Sequence, residues 1–143
     1  MRELAGEDRR RLEEELKRTY GLTLPQDLAL VASSRRRIRA CSRRLLELDL
    51  SKLNPQAYGV YICSIEKQGA RLSMDAAQLF NCSRKLKVSW EQAKAWLRGE
   101  DIEVSANGHG FIVLEHNGYV LGVGFLSGGR VRNYVPKSRR IPE

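Results

Sequence analysis

Val120-Leu-Gly-Val-Gly-Phe-Leu-Ser-Gly-Gly-Arg-Val-Arg-Asn-Tyr-Val-Pro-Lys-Ser-Arg-Arg140 decides how this chain is read. An apolar strand interrupted by Gly122 and Gly124 runs into a tight Gly128-Gly129 turn. A second strand follows, with basic or aromatic residues at alternate positions until Pro136 stops it. Side chains two apart on a strand point the same way. Arg130, Arg132 and Tyr134 are therefore expected on one face, with Val131 and Val135 on the other. Unpaired guanidinium groups cannot be buried, so that first face should meet water or a polyanion. Arginine mixed with an aromatic ring suits phosphate and exposed bases.

Working back from this stretch, residues 84–119 have the same grammar. Lys85 to Val88 reads as a short strand. Ser89-Trp-Glu-Gln92 fits a capping box, with Ser89 as cap and Gln92 reaching back. Trp90, Ala93, Trp96 and Leu97 then give a helical apolar face that Gly99 ends. Strands are expected at 102–105, 111–116, 119–125 and 130–135. Asn117-Gly118 is a strong type I′ hairpin signal. One helix feeding an antiparallel meander predicts a small barrel. Glycines inside a strand mark close backbone approach or a bend, and Gly122 and Gly124 are read that way.

The first half reads differently. Residues 7–20 predict a helix ended by Gly21, with Leu12, Leu16 and Tyr20 as a narrow apolar stripe. Arg9, Arg10 and Arg11 each have a Glu four residues on, so this face is expected to be solvated and locally neutral. Leu28 to Ala32 is a strand candidate, Ser33-Ser34 a turn, and residues 35–41 alternate. A short helix is expected from Ser42 to Leu48, an apolar central strand over 58–65, and a helix over 72–80 capped by Ser73. Arg35, Arg36, Arg37, Arg39, Arg43 and Arg44 lie together without an acidic residue among them.

The 143 residues suit one domain or two small ones packed together, and 42% apolar content allows a real core. Twenty-five Lys and Arg against 17 Asp and Glu give a net charge of +8, which favours an anionic partner. Nucleic acid is the first candidate; an anionic membrane surface and mere solubility are the rivals. No apolar run reaches the roughly 20 residues that cross a bilayer, and the N-terminus lacks the apolar core of a signal peptide. A soluble, cytoplasmic protein, acting as a monomer, is expected.

Residues that could run chemistry are sparse. Cys41, Cys63 and Cys82 lack metal-ligand spacing and read as buried free thiols. His109 falls in an apparent loop, Asn-Gly-His-Gly. Glu115 would point away from its neighbour His116, so neither histidine has an orienting carboxylate. No glycine-rich turn joins a strand to a helix, so no cofactor is expected, and no metal. What remains are three basic runs: 35–44, 84–87 and 130–140.

Residues 84–143 resemble a PUA domain, a small RNA-binding pseudo-barrel, and are closest to the PUA-like domain at the C-terminus of Sun-type RNA cytosine-5 methyltransferases. The resemblance rests on Leu97-Arg98-Gly99-Glu100 at the helix end and Leu121-Gly122-Val123-Gly124 in the strand. It rests also on the ending Arg132-Asn133-Tyr134-Val135-Pro136-Lys137-Ser138-Arg139-Arg140. Residues 1–83 resemble the α/β half that often precedes such domains. The resemblance implies an α+β fold, with an N-terminal α/β half packed on a C-terminal PUA-like small β-barrel. No methyl-donor fold and no Pro-Cys nucleophile occur in the sequence, so RNA binding is expected and catalysis is not. The resemblance implicates Arg98, Gly99, Arg130, Arg132, Asn133, Tyr134 and Lys137. The basic runs add Arg35, Arg37, Arg39, Arg84, Lys85, Lys87, Arg139 and Arg140. The expected partner is rRNA or tRNA, in modification or ribosome assembly, with an RNA-modification enzyme as a further partner. The rival is a subunit that docks on such an enzyme without touching RNA.

Overall fold

The computed structural model describes residues 2–33, 36–43 and 59–142. In chain order the elements are β1 (Arg2–Leu4), α1 (Gly6–Tyr20), β2 (Leu28–Ala32), β3 (Arg37–Ser42), β4 (Val60–Glu66), β5 (Gly69–Leu72) and α2 (Met74–Leu79). There follow β6 (Lys85–Lys87), α3 (Trp90–Leu97), β7 (Ile102–Glu103), β8 (His109–His116), β9 (Tyr119–Ser127) and β10 (Arg130–Asn133), then a 3-10 turn at Lys137–Arg139. Two five-stranded sheets result, ordered β1-β2-β3-β4-β5 and β6-β8-β9-β10-β7. The first is antiparallel throughout. The second is a curled half-barrel in which β6 alone runs parallel to its neighbour. The α+β class with a PUA-like barrel, expected from the sequence, is what the structure shows.

The stripe on α1 is buried as its spacing dictates, with Leu12, Leu16 and Tyr20 in the core. Gly21 takes the left-handed conformation (φ 65°) and closes the helix through its N–H to the Lys17 carbonyl. The charged face departs from the simple pattern. Arg9 does pair with Glu13, yet Glu7 takes both Arg10 and Arg11, and Glu15 accepts the Ala70 N–H at 2.7 Å. Arg9 also donates to the Leu28 carbonyl at 2.6 Å. It therefore ties α1 to β2 and is not simply a solvated charge.

One core cluster contains α1, inward residues of the first sheet, and Phe111, Val113 and Val123 of the second, so the two halves share apolar packing. The other large cluster surrounds Trp96. Its indole donates to the Leu121 carbonyl at 3.2 Å. A Cβ on Gly124 would lie 2.5 Å from that ring and 2.6 Å from the Arg132 carbonyl. The glycine thus seats the tryptophan between strands, the close approach expected of it. The capping box on α3 is complete, with Ser89 Oγ accepting from Gln92 and Gln92 Oε1 accepting from the Ser89 N–H. Positive φ at Asn117 (50°) and Gly118 (83°) makes the β8–β9 hairpin.

Several expectations change. Strand β10 ends at Asn133 and β7 is only two residues long. His109 opens β8, where its ring meets Phe125 edge-on at 5.0 Å, because the strand reaches back through Gly110. Strands β1 and β5 are short edge strands without a sequence signal, drawn in by pairing with β2 and β4. Ser42 closes β3, and the remainder of the helix expected at 42–48 lies mostly outside the described residues.

Candidate nucleic-acid interface

The turn after α3 and the end of β10 are built around Asn133. Its side-chain amide donates to the Trp96 carbonyl at 2.8 Å and the Glu100 carbonyl at 2.9 Å, and its oxygen accepts the Val135 N–H at 2.7 Å. Its backbone N–H donates to Asp101 at 2.8 Å. A side chain with every polar group engaged in the fold is not available to a ligand. Gly99 lies at φ 97°, and a Cβ there would sit 2.6 Å from the Arg140 side chain. Arg140 crosses this glycine and donates to the Val135 carbonyl at 3.1 Å. Asn133 and Gly99, implicated through the resemblance, and Arg140, from the last basic run, thus hold the helix-to-strand turn in place.

Tyr134 corrects the strand-parity expectation. It lies past the end of β10, half-buried, 5.8 Å from Phe111 and packed on the shared core. Arg130 and Arg132 are exposed as expected, with Val131 and Val135 buried. The Arg71 guanidinium caps the Tyr134 ring at 4.8 Å. The ring is therefore covered on two sides, and its exposed part faces a cleft.

The acid-free basic runs are acid-free only in sequence. Lys85 reaches the buried Glu115 at 3.2 Å and Arg130 reaches Asp101 at 3.4 Å; outside the runs, Arg98 pairs with its near neighbour Glu100 at 2.9 Å. Arg139 pairs with Asp75 at 3.1 Å and Arg43 with Glu3 at 3.0 Å. Arg84, Lys87, Arg132 and Lys137 are exposed and have no ion-pair partner among the described residues. Arg39 is half-buried, its Nε buried without a hydrogen-bond partner among the described residues. Arg35 lies outside the described residues. Strand β6 is separated from β10 by β8 and β9, so 84–87 and 130–133 do not form adjacent strands.

What the fold does bring together is a cleft of about 310 Å³ lined by Arg37, Tyr61, Arg71, Tyr134 and Arg139, with Asp75 beside them. Arg37 lies over the Tyr61 ring at 5.1 Å. Arg71 and Tyr61 carried no signal of this role. Arg71 follows a turn in an unrecognised edge strand, and Tyr61 sits in a run that reads as core. A second missed feature is Trp90, which is 58% exposed although its spacing groups it with the core residues of α3. As the first residue of that helix it points off the end, 5.8 Å from the His116 ring and under Lys94. Tyr119, 75% exposed, faces His116 across the hairpin.

His116 shares a 2.8 Å hydrogen bond with the Val88 carbonyl, while Glu115 points the other way to Lys85. The three cysteines are buried free thiols. Burial, helped by the Glu15 charge, pushes Cys63 up to about 12, and burial also raises Cys41 and Cys82. Raised thiols are poor nucleophiles at neutral pH. Among the described residues no group of three or more His, Cys, Asp or Glu could hold a metal, and no helix is long and apolar enough to cross a membrane.

Comparison with known proteins bears on residues 83–141, which match the family model for the methyltransferase RsmF PUA domain. The resemblance drawn from the sequence holds over that segment. Curated relatives that match carry the name ribosomal RNA small subunit methyltransferase F, three of them as follows. The Aliivibrio fischeri (strain MJ11) protein is 25% identical over 129 residues, 88% of this chain and 27% of the relative. The Shewanella amazonensis protein is 27% identical over 128 residues, 87% of this chain and 27% of the relative. The Photobacterium profundum protein is 26% identical over 138 residues, 94% of this chain and 29% of the relative. The chain thus spans little more than a quarter of the length of these relatives.

Proposed function

We propose that this protein binds RNA through residues 84–143, acting as a recognition unit and not as a catalyst. The reading is carried by one coincidence. The segment matching a PUA domain also holds four exposed cations with no ion-pair partner among the described residues: Arg84, Lys87, Arg132 and Lys137. Such cations gain most from phosphate, because contact releases counterions and breaks no internal salt bridge. The relatives' name makes small-subunit ribosomal RNA the first RNA to try, with structured tRNA next. On this reading the protein works in the cytoplasm as a monomer, supporting RNA modification or ribosome assembly.

The exposed aromatic patch of Trp90, His116 and Tyr119 favours a second reading, a subunit that docks on an RNA-modification enzyme. Salt separates the two. An RNA-binding unit should show log affinity falling linearly with log salt, with a slope reflecting about three to four phosphate contacts. No binding at low salt, or a flat plot, leaves the docking reading in front.

A further inference from the structure

We infer that the cleft between the two sheets receives a single unpaired nucleotide of the bound RNA, its phosphate on the arginines and its base on the tyrosines. The inference rests on the RNA reading above and adds a site, a ligand class and residues of the N-terminal half to it.

Three cations line the cleft against one carboxylate: Arg37, Arg71 and Arg139 facing Asp75. Asp75 is already paired with Arg139 at 3.1 Å and Arg71 is held by Glu66 at 3.1 Å. Arg37 has no carboxylate partner among the described residues and is exposed, so it is the charge most ready to take a phosphate oxygen. Two of these guanidinium groups already lie over aromatic rings, Arg37 over Tyr61 and Arg71 over Tyr134. Rings and guanidinium planes are the surfaces on which proteins stack bases that have left a helix. The floor is apolar, from Val123 and Val135.

Size selects the ligand. At about 310 Å³ the cleft lies at the small end of pockets that take discrete ligands. A base released from its stack can enter such a space, whereas a duplex presents only its ridge of phosphates to the rim. The walls come from both halves, since Tyr61 and Arg71 belong to the first sheet and Tyr134 follows the second. Neither half alone contains the site.

The test uses the full chain and two RNAs sharing one stem, a hairpin with an unpaired loop and a blunt duplex. Affinities are measured for the unsubstituted protein and for Arg37→Gln, Tyr61→Leu and Arg132→Gln, with thermal melts confirming the fold. Arg37→Gln and Tyr61→Leu should each weaken the hairpin about tenfold, the scale of one lost stacking or phosphate partner. They should leave the duplex nearly unchanged, while Arg132→Gln, outside the cleft, weakens both equally. If the two cleft variants leave the hairpin untouched, or weaken both RNAs alike, the cleft holds no unpaired nucleotide and RNA binding still stands. If the unsubstituted protein binds neither RNA, the RNA reading fails with it. Should Tyr61→Leu not fold, Arg37→Gln decides alone. Photocrosslinking of a 4-thiouridine loop provides a second measurement, attaching to peptides containing Tyr61 or Tyr134 if the inference holds and only elsewhere if it does not.

Discussion

Two regions of this molecule use the same residue types to opposite ends. At the C-terminus, Arg130, Asn133, Arg139 and Arg140 are bound by Asp101, the Trp96 and Glu100 carbonyls, Asp75 and the Val135 carbonyl. On the first sheet, Arg37 lies over the Tyr61 ring and has no carboxylate partner among the described residues. The stretch that most resembles an RNA-binding motif is thus largely a folding motif, interrupted by Arg132 and Lys137, which have no ion-pair partner among the described residues. The run that resembled nothing specific supplies the most available guanidinium in the cleft. A basic residue in a sequence is a charge whose partner has yet to be found. Only a tertiary acid decides whether it is a lock or a contact.

The contrast can be broken most forcefully at the Trp96 seat. Trp96→Ala should cost about 3–5 kcal/mol of unfolding free energy in a denaturant titration, the range for deleting a fully buried aromatic. Gly124→Ala should cost about 1–3 kcal/mol by overpacking, since the new Cβ has no room among the ring, Val131 and the Arg132 carbonyl. A near-neutral result at either position would mean that the glycine-interrupted strand is not a close-packed seat.

Asn133→Ala sharpens the comparison one level down. It strips partners from two carbonyls and the Val135 N–H, and should cost about 1–3 kcal/mol, as unsatisfied backbone groups do. The refolded protein should keep its salt slope for RNA. If Asn133→Ala binds RNA more weakly while melting normally, the residue is a contact after all.

Charge removal should then divide the arginines. Arg132→Ala should reduce the slope of log affinity against log salt by about one unit. Arg130→Ala should change it less, because Asp101 already offsets that charge. Equal slopes for the two would show that the Arg130–Asp101 pair opens on RNA.

The smallest effect is on stability at alkaline pH. Burial pushes the Cys63 thiol up to about 12 in the folded protein, and raises Cys41 and Cys82 too. Between the ordinary thiol range and those raised values the unfolded chain binds fewer protons than the native one, so stability must fall as pH rises. Melting temperature should be flat to about pH 8 and decline above it. Iodoacetamide at pH 8 should label the thiols only after denaturation.

Strand, turn and cap chemistry was legible in the sequence because it depends on near neighbours. Alternation buried Val131, spacing buried Leu12, Leu16 and Tyr20, Asn117-Gly118 made its hairpin, and Ser89 with Gln92 closed its box. The glycine-interrupted strand and the ending after Arg132 were enough to indicate a PUA-like barrel, since both are contiguous. Tyr134 escaped strand parity because β10 ends one residue before it, and Trp90 escaped helix periodicity because it stands at the helix's first position. The cleft depends on neither rule. The first sheet aligns Arg37 and Arg71 across Ser64, 34 residues apart, and Arg139 joins them only when the second sheet packs against the first. Which charges stay free was decided there as well, for an ion pair between Arg139 and Asp75 spans 64 residues that no local pattern connects.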